Sequence, residues 1–211
     1  MGAGKTTLLN NLIKKYDKKR FAIIENEIGS INIDSDLIVG ASENIFELSN
    51  GCICCSLNSD FTTVVEKLLE SNFEFDHLLV ETTGIADPLS IVKKFIEGER
   101  IQHLFRIESV VCVADAANIE DIMTEQIEVQ QQLALSDCVI INKTDSVSAN
   151  YAHALQQRLQ KLNPMAQIFA TSYGDLSQIQ LTEHYAYDAF VVEKAVKKFV
   201  IAKAPHTQPI S

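Results

Sequence analysis

The chain opens on Met1-Gly2-Ala3-Gly4-Lys5-Thr6-Thr7 and passes at once into an amphipathic stretch over residues 6–16. Glycines followed by a lysine and a hydroxyl residue at a helix start match the second half of the G-x-x-x-x-G-K-[ST] loop. In such a loop the backbone N–H groups close on phosphate oxygens, Lys5 reaches the β and γ phosphates, and the Thr6 hydroxyl ligates Mg²⁺. Gly2, Ala3, Gly4 and Thr7 complete the cradle. The loop's first glycine, and the strand that would feed it, fall upstream of Met1. The chain therefore reads as shortened at its start.

A phosphate loop needs a parallel sheet behind it, and the rest of the sequence supplies the pattern. Apolar runs at 21–25, 77–80, 110–113, 138–141 and 168–170 read as buried strands. Amphipathic stretches at 62–70, 89–97, 127–135 and 152–162 read as helices, the last stopped by Asn163-Pro164. Strand and helix alternate, which implies an α/β fold of the phosphate-loop NTPase kind. Its mostly parallel sheet carries helices on both faces, lacks its first strand, and binds ligands beyond the carboxyl ends of the strands. Of the 211 residues, 1–175 are assigned to a GTPase domain and 176–204 to a terminal helix. Residues 205–211, rich in Pro and polar residues, read as a linker.

Two further segments point to a nucleotide. Leu78-Leu79-Val80-Glu81-Thr82-Thr83-Gly84 has the form of an apolar strand ending in a carboxylate and a switch loop. Glu81 would hold Mg²⁺ directly or through water, and the Gly84 N–H would sense the γ-phosphate. Asn142-Lys143-Thr144-Asp145 follows another apolar run and matches the N-K-x-D base-reading motif. A carboxylate at Asp145 accepts two parallel N–H bonds from guanine, a pair that adenine does not offer, so GTP is favoured over ATP. Thr171-Ser172, after the next strand, adds a base-contacting loop.

Gly51-Cys52-Ile53-Cys54-Cys55 is the most distinctive segment. Side chains alternate along an extended chain, so Cys52 and Cys54 converge on one side and a turn brings in Cys55. Thiolates suit Zn²⁺ and other soft or borderline ions, and Glu25 or Glu27 would complete a tetrahedral set. A buried cysteine cluster and a redox pair are the competing readings, although adjacent Cys54 and Cys55 are poorly placed to bridge each other. Cys112 and Cys138 lie in apolar runs and read as core. The five histidines, at 77, 103, 153, 184 and 206, show no ligand spacing, and of these His206 alone is placed where it would touch a metal.

In order and content, the phosphate loop, Glu25-Asn26-Glu27-Ile28-Gly29, the cysteine motif, Glu81-Thr82-Thr83-Gly84-Ile85-Ala86-Asp87-Pro88 and Asn142-Lys143-Thr144-Asp145 closely resemble the CobW-type metallochaperone GTPases of the CobW/HypB/UreG group. The resemblance covers residues 1–174, and it implies that residues 205–211 are a linker to an absent C-terminal domain of the CobW type. It implies a slow GTPase that binds GTP and Mg²⁺, carries Zn²⁺ or a related divalent metal, and couples nucleotide state to transfer to a metalloprotein client. It implies Lys5 and Thr6 at phosphate and Mg²⁺, Glu81 on the Mg²⁺ and water side, Asp145 at guanine, and Cys52, Cys54, Cys55 and Glu25 at the transferred metal. The family often has a second glutamate where this chain has Ser30, a departure that removes one potential ligand.

A formal net charge of -10 disfavours non-specific attraction to nucleic acid or anionic lipid. No run of about 18 apolar residues is present for a membrane span, and the N-terminus lacks a signal-peptide pattern. The chain is placed in the cytoplasm, with a homodimer left open. Two other functions stay in view: a metal-binding regulatory module without turnover, and a GTPase serving nickel insertion or cobalt and cobalamin chemistry.

Overall fold

The computed structural model describes residues 2–26, 45–49, 60–71, 73–82, 88–97 and 101–181. Over these the chain order is α1 (Lys5–Lys15), β1 (Phe21–Asn26), β2 (Ile45–Ser49), α2 (Asp60–Glu70), β3 (His77–Thr82), α3 (Pro88–Glu97), β4 (Val111–Asp115), α4 (Ile119–Glu125), α5 (Ile127–Leu135), β5 (Cys138–Asn142), α6 (Ala149–Leu162) and β6 (Gln167–Ala170). Among the described residues all strand pairing is parallel, in two three-stranded sheets ordered β2-β1-β3 and β4-β5-β6. The five expected strands are present, and so are the expected helices apart from the terminal one. Missed from the sequence were β2, whose Ile45-Phe46-Glu47-Leu48-Ser49 alternates only weakly, and α4, just seven residues long.

The central strands explain themselves. All five residues of β5, Cys138-Val139-Ile140-Ile141-Asn142, are buried, and so are Phe21 to Ile24 of β1. A parallel strand covered on both faces must be apolar throughout, and β-branched side chains suit the pleat. On one face of β4-β5-β6, Ala114, Val139, Ile141 and Ile168 pack with Leu133 of α5 and Leu155 and Leu159 of α6. On the other, Ile140 meets Leu8 and Leu12 of α1 and Leu176, Ile179 and Leu181. On β2-β1-β3, Ile24 packs with Phe61, Val64 and Val65 of α2 and Ile91 of α3. Phe21 and Ile23 pack with Leu9 of α1.

Helix α1 thus lies against both sheets, Leu8 and Leu12 toward one and Leu9 toward the other. Strands β3 and β4 are the edges of their respective sheets, and Leu79 of β3 and Val111 and Val113 of β4 pack on one common cluster. Residues 176–181, placed at the start of a terminal helix by the sequence reading, carry no helix and bury three leucine or isoleucine side chains under α1. The remainder of that segment and the linker lie outside the described residues. No helix among the described residues is long and apolar enough to cross a membrane.

Candidate functional site

The carboxyl ends of the strands and the amino end of α1 define the site. Gly4 caps α1 with φ 92°, and no acidic residue occupies the helix's first turn. That leaves orphan N–H groups and the positive end of the helix dipole for an anion. Glycine is obligatory at position 4 on two counts: the left-handed φ, and a Cβ that would stand 2.4 Å from Asn142 Nδ2.

Asn142, 2% exposed, is the link between the phosphate loop and the base end. Its Nδ2 donates to the Ala3 carbonyl at 2.9 Å, and its Oδ1 accepts the Gly174 N–H at 2.9 Å. Thr144 donates through its hydroxyl to the Thr171 carbonyl at 2.9 Å and lies 3.0 Å from the Ser172 hydroxyl. The same Ser172 oxygen accepts the Asp145 N–H at 3.1 Å. Thr171 and Ser172 therefore brace the loop that carries Asp145, whose side chain is exposed at the surface. Lys143 and Tyr173, at φ 60° and 57°, are the described non-glycine residues in the left-handed region. Both belong to this loop pair, and backbone strain of that kind concentrates at functional sites.

Across the loop, Lys5 Nζ stands 3.9 Å from Glu81 Oε1 at the end of β3. Register places Glu25 of β1 beside Glu81 of β3 on one side and Ser49 of β2 on the other. The metal-candidate and Mg²⁺-candidate carboxylates therefore occupy neighbouring positions at the same sheet end. In the sequence, Cys52 follows Ser49 by three residues.

The family model for the CobW/HypB/UreG nucleotide-binding domain matches residues 1–170. The chain belongs to this family. This CobW/HypB/UreG domain is 33% identical over 180 residues to the zinc chaperone YjiA of Escherichia coli K12, covering 83% of this chain and 56% of that protein. It is 34% identical over 186 residues to the zinc-regulated GTPase metalloprotein activator 1 of Schizosaccharomyces pombe, covering 85% and 45%. It superposes on the crystal structure of the Zn(II)-bound YjiA GTPase with a TM-score of 0.65 at 26% identity, covering 89% of this chain and 60% of that one. The chain spans about half the length of the curated relatives it matches.

Within this CobW/HypB/UreG domain the structure sets Asn142 against Ala3 and Gly4 and Lys143 beside Gly2, ties the Asp145 loop to Thr171 and Ser172, and stands Lys5 across from Glu81. Cys52, Cys54, Cys55 and Gly84 lie outside the described residues, as do Glu27 and the histidines at 184 and 206, and the Glu25 side chain is not described. Among the described residues no three His, Cys, Asp or Glu side chains gather as a metal site. His77 stacks on the Phe21 ring at 5.6 Å and lies 3.4 Å from Glu108, and His153 contacts Gln157.

Sequence reasoning missed three tethers. Asn11 Nδ2 donates to the carbonyls of Tyr173 and Gly174, and Lys15 Nζ to those of Leu176 and Ile179. The third is Asp115, 6% exposed, whose Oδ2 lies 2.8 Å from Lys143 Nζ. Burial pushes the Asp115 carboxyl up, but Lys143, the Ala117 N–H and Asn118 outweigh it and hold it below the usual aspartate value. A carboxylate at the carboxyl end of an apolar strand, Val111-Cys112-Val113-Ala114-Asp115, was the available signal.

Proposed function

We propose that this chain is the nucleotide-handling part of a metallochaperone that hydrolyses GTP and passes a divalent metal, zinc first among them, to a client metalloprotein. The observation that carries the reading is the register of Ser49, Glu25 and Glu81. It sets the strand leading to the cysteine motif and the glutamate beside Lys5 at one sheet end, so nucleotide and cargo would bear on neighbouring strand termini. The names of the relatives, a zinc chaperone and a zinc-regulated GTPase metalloprotein activator, point the same way.

The donor set fits the chemistry. Thr6 offers a hydroxyl and Glu81 a carboxylate, the hard oxygens that Mg²⁺ prefers. Mg²⁺, when bound, supplies neutralisation of charge on the β and γ phosphates. Lys5 and the N–H groups of α1 hold the phosphate oxygens and stabilise the charge that spreads over them in the transition state. Water forms a bond to the γ-phosphorus as the bond to the GDP oxygen breaks, giving GDP and inorganic phosphate. Asp145, held through its N–H by Ser172, reads guanine. Cys52, Cys54 and Cys55 with Glu25 hold the cargo, three thiolates and a carboxylate suiting Zn²⁺.

Anaerobic titration of the reduced protein with Zn²⁺ and Co²⁺, with and without Mg²⁺–GTP, tests this, alongside phosphate release. The wild type binds metal through thiolates, and GTP shifts the metal affinity by roughly tenfold, within the usual range of coupling between sites. Cys54→Ala loses tight binding. An unchanged titration in that variant would sink the metal half of the reading, and absence of phosphate release would reduce the chain to a binding module without turnover.

A further inference from the structure

We propose that Asp115 is a positioning residue of the nucleotide site, fixing the Lys143 ammonium across the glycines of the phosphate loop. The inference rests on the nucleotide reading above. Three observations converge on it. Lys143 adopts φ 60°, a left-handed conformation that a bulky residue adopts at a cost and keeps when the surroundings impose it. Its Nζ is held 2.8 Å from Asp115 Oδ2, and the same Nζ lies 4.0 Å from where a Cβ on Gly2 would stand. The ammonium is therefore both anchored at the end of β4 and adjacent to the loop.

Asp115 is itself fixed. Its Oδ1 accepts the Ala117 N–H at 3.0 Å, and its register partner on β5 is Asn142. The Ala116 N–H donates to the Asn142 carbonyl at 2.9 Å, closing the two strand ends together. Adjacent strand termini thus tie down the loop at two points, Asn142 at the Ala3 carbonyl and the Asp115–Lys143 pair beside Gly2. Lys143 is 42% exposed and, without its partner, would sample many rotamers on a flexible stem. Holding it in place spares the ligand that ordering cost on binding.

A plain charge argument predicts the opposite sign. Asp115 is an anion near a phosphate site, and its neutralisation alone would tighten binding of a polyphosphate. Positioning predicts weaker binding, so the direction of change separates the two. The experiment measures equilibrium binding of GDP, GTP and IDP to wild type, Asp115→Asn, Lys143→Met and the double variant. Asp115→Asn preserves shape and still accepts the Ala117 N–H, and a melt of the nucleotide-free protein verifies folding. If it does not fold, Lys143→Met carries the test from the other end of the tether.

Each single variant is expected to weaken GDP and GTP about tenfold, the effect of losing one charge-assisted contact. The double variant is expected to lose no more than either single, because both remove the same tether. The preference for GDP over IDP stays at the wild-type ratio, since Asp145 sets it. Binding by Asp115→Asn equal to or tighter than wild type would overturn the proposal, as would losses that multiply to about a hundredfold in the double variant. If Lys143→Met has to carry the test, undiminished binding in that variant overturns the proposal too. A wild type that binds no guanine nucleotide would instead overturn the nucleotide reading beneath it.

Discussion

The two sheets hold the phosphate-loop helix in different ways. Toward β4-β5-β6, α1 and its loop are tied by polar side chains: Asn142 to Ala3, Asn11 to Tyr173 and Gly174, and Lys15 to Leu176 and Ile179. Toward β2-β1-β3, the helix lies on the apolar surface of Phe21 and Ile23, and at the loop Lys5 and Glu81 stand 3.9 Å apart. That separation exceeds a good charge-assisted hydrogen bond. The first half is pre-organised, because hydrogen bonds fix both geometry and direction. The second holds by shape and long-range charge, an arrangement in which Lys5 can leave Glu81 for a phosphate at small cost. On the function proposed above, a nucleotide would change the half that ends in Glu25 and Glu81 more than the half that carries Asp145.

The strongest way to break this contrast is Gly4→Ala, which attacks both halves at once. The new Cβ would stand 2.4 Å from Asn142 Nδ2 at φ 92°, so Asn142 must leave the Ala3 carbonyl. A stability loss of about 2 to 3 kcal/mol is expected, with guanine-nucleotide binding lost as well. Thermal melts and a GDP titration measure the two effects, and wild-type binding would mean that the loop tolerates displacement of Asn142. Next in size is Glu81→Gln, confined to the acidic half. It should lower the rate of GTP hydrolysis about a hundredfold while GDP affinity stays within about threefold, the mark of a group that acts on the transition state. A large loss of GDP affinity would show instead that Glu81 organises the resting loop. Lys15→Met, confined to the other half, removes two hydrogen bonds of 2.7 and 2.6 Å and should cost about 1 to 2 kcal/mol in chemical unfolding with hydrolysis unchanged.

The same contrast explains how far the sequence could be read. Motifs that bind ligands are local and carry their own spacing, so Gly4-Lys5-Thr6 and Asn142-Lys143-Thr144-Asp145 were visible at once. Buried parallel strands were visible because β1 and β5 must be apolar on both faces. The tethers were not. Asn11 and Lys15 look like ordinary polar positions on an amphipathic helix, and their partners lie more than 160 residues away. Asp115 has the look of a strand-end carboxylate, and its burial against Lys143 emerges only when β4 and β5 are set side by side. Residues 176–181 lie where the strand–helix alternation weakens, and Leu176, Ile179 and Leu181 carry no regular period; their burial follows from the apolar surface of α1, which an irregular segment could cover. The β2-β1-β3 half was legible as chemistry through Glu25 and Glu81, and its register added which strand ends come together.

The smallest expected effect concerns the two cysteines that the nucleotide half keeps to itself. Burial pushes the Cys138 thiol up to about 12, aided by Asp137 and the neighbouring Cys112. Burial likewise takes Cys112 to about 12, against a hydrogen bond to Ser136 and the charge of Lys5. The thiolate is the nucleophile, so at pH 8 neither should react. In a Cys52→Ser/Cys54→Ser/Cys55→Ser variant, a thiol reagent in native buffer is expected to label nothing and in denaturant to label two thiols. The pH dependence follows in sign. Both groups are raised above the unfolded value of 9.0, so the stability they contribute as neutral thiols is complete below about pH 9 and is lost as pH climbs toward 12. Prompt labelling in native buffer at pH 8 would mean that β4 and β5 open readily. The β4-β5-β6 half would then not be the more rigid of the two, and the contrast between the sheets would fail.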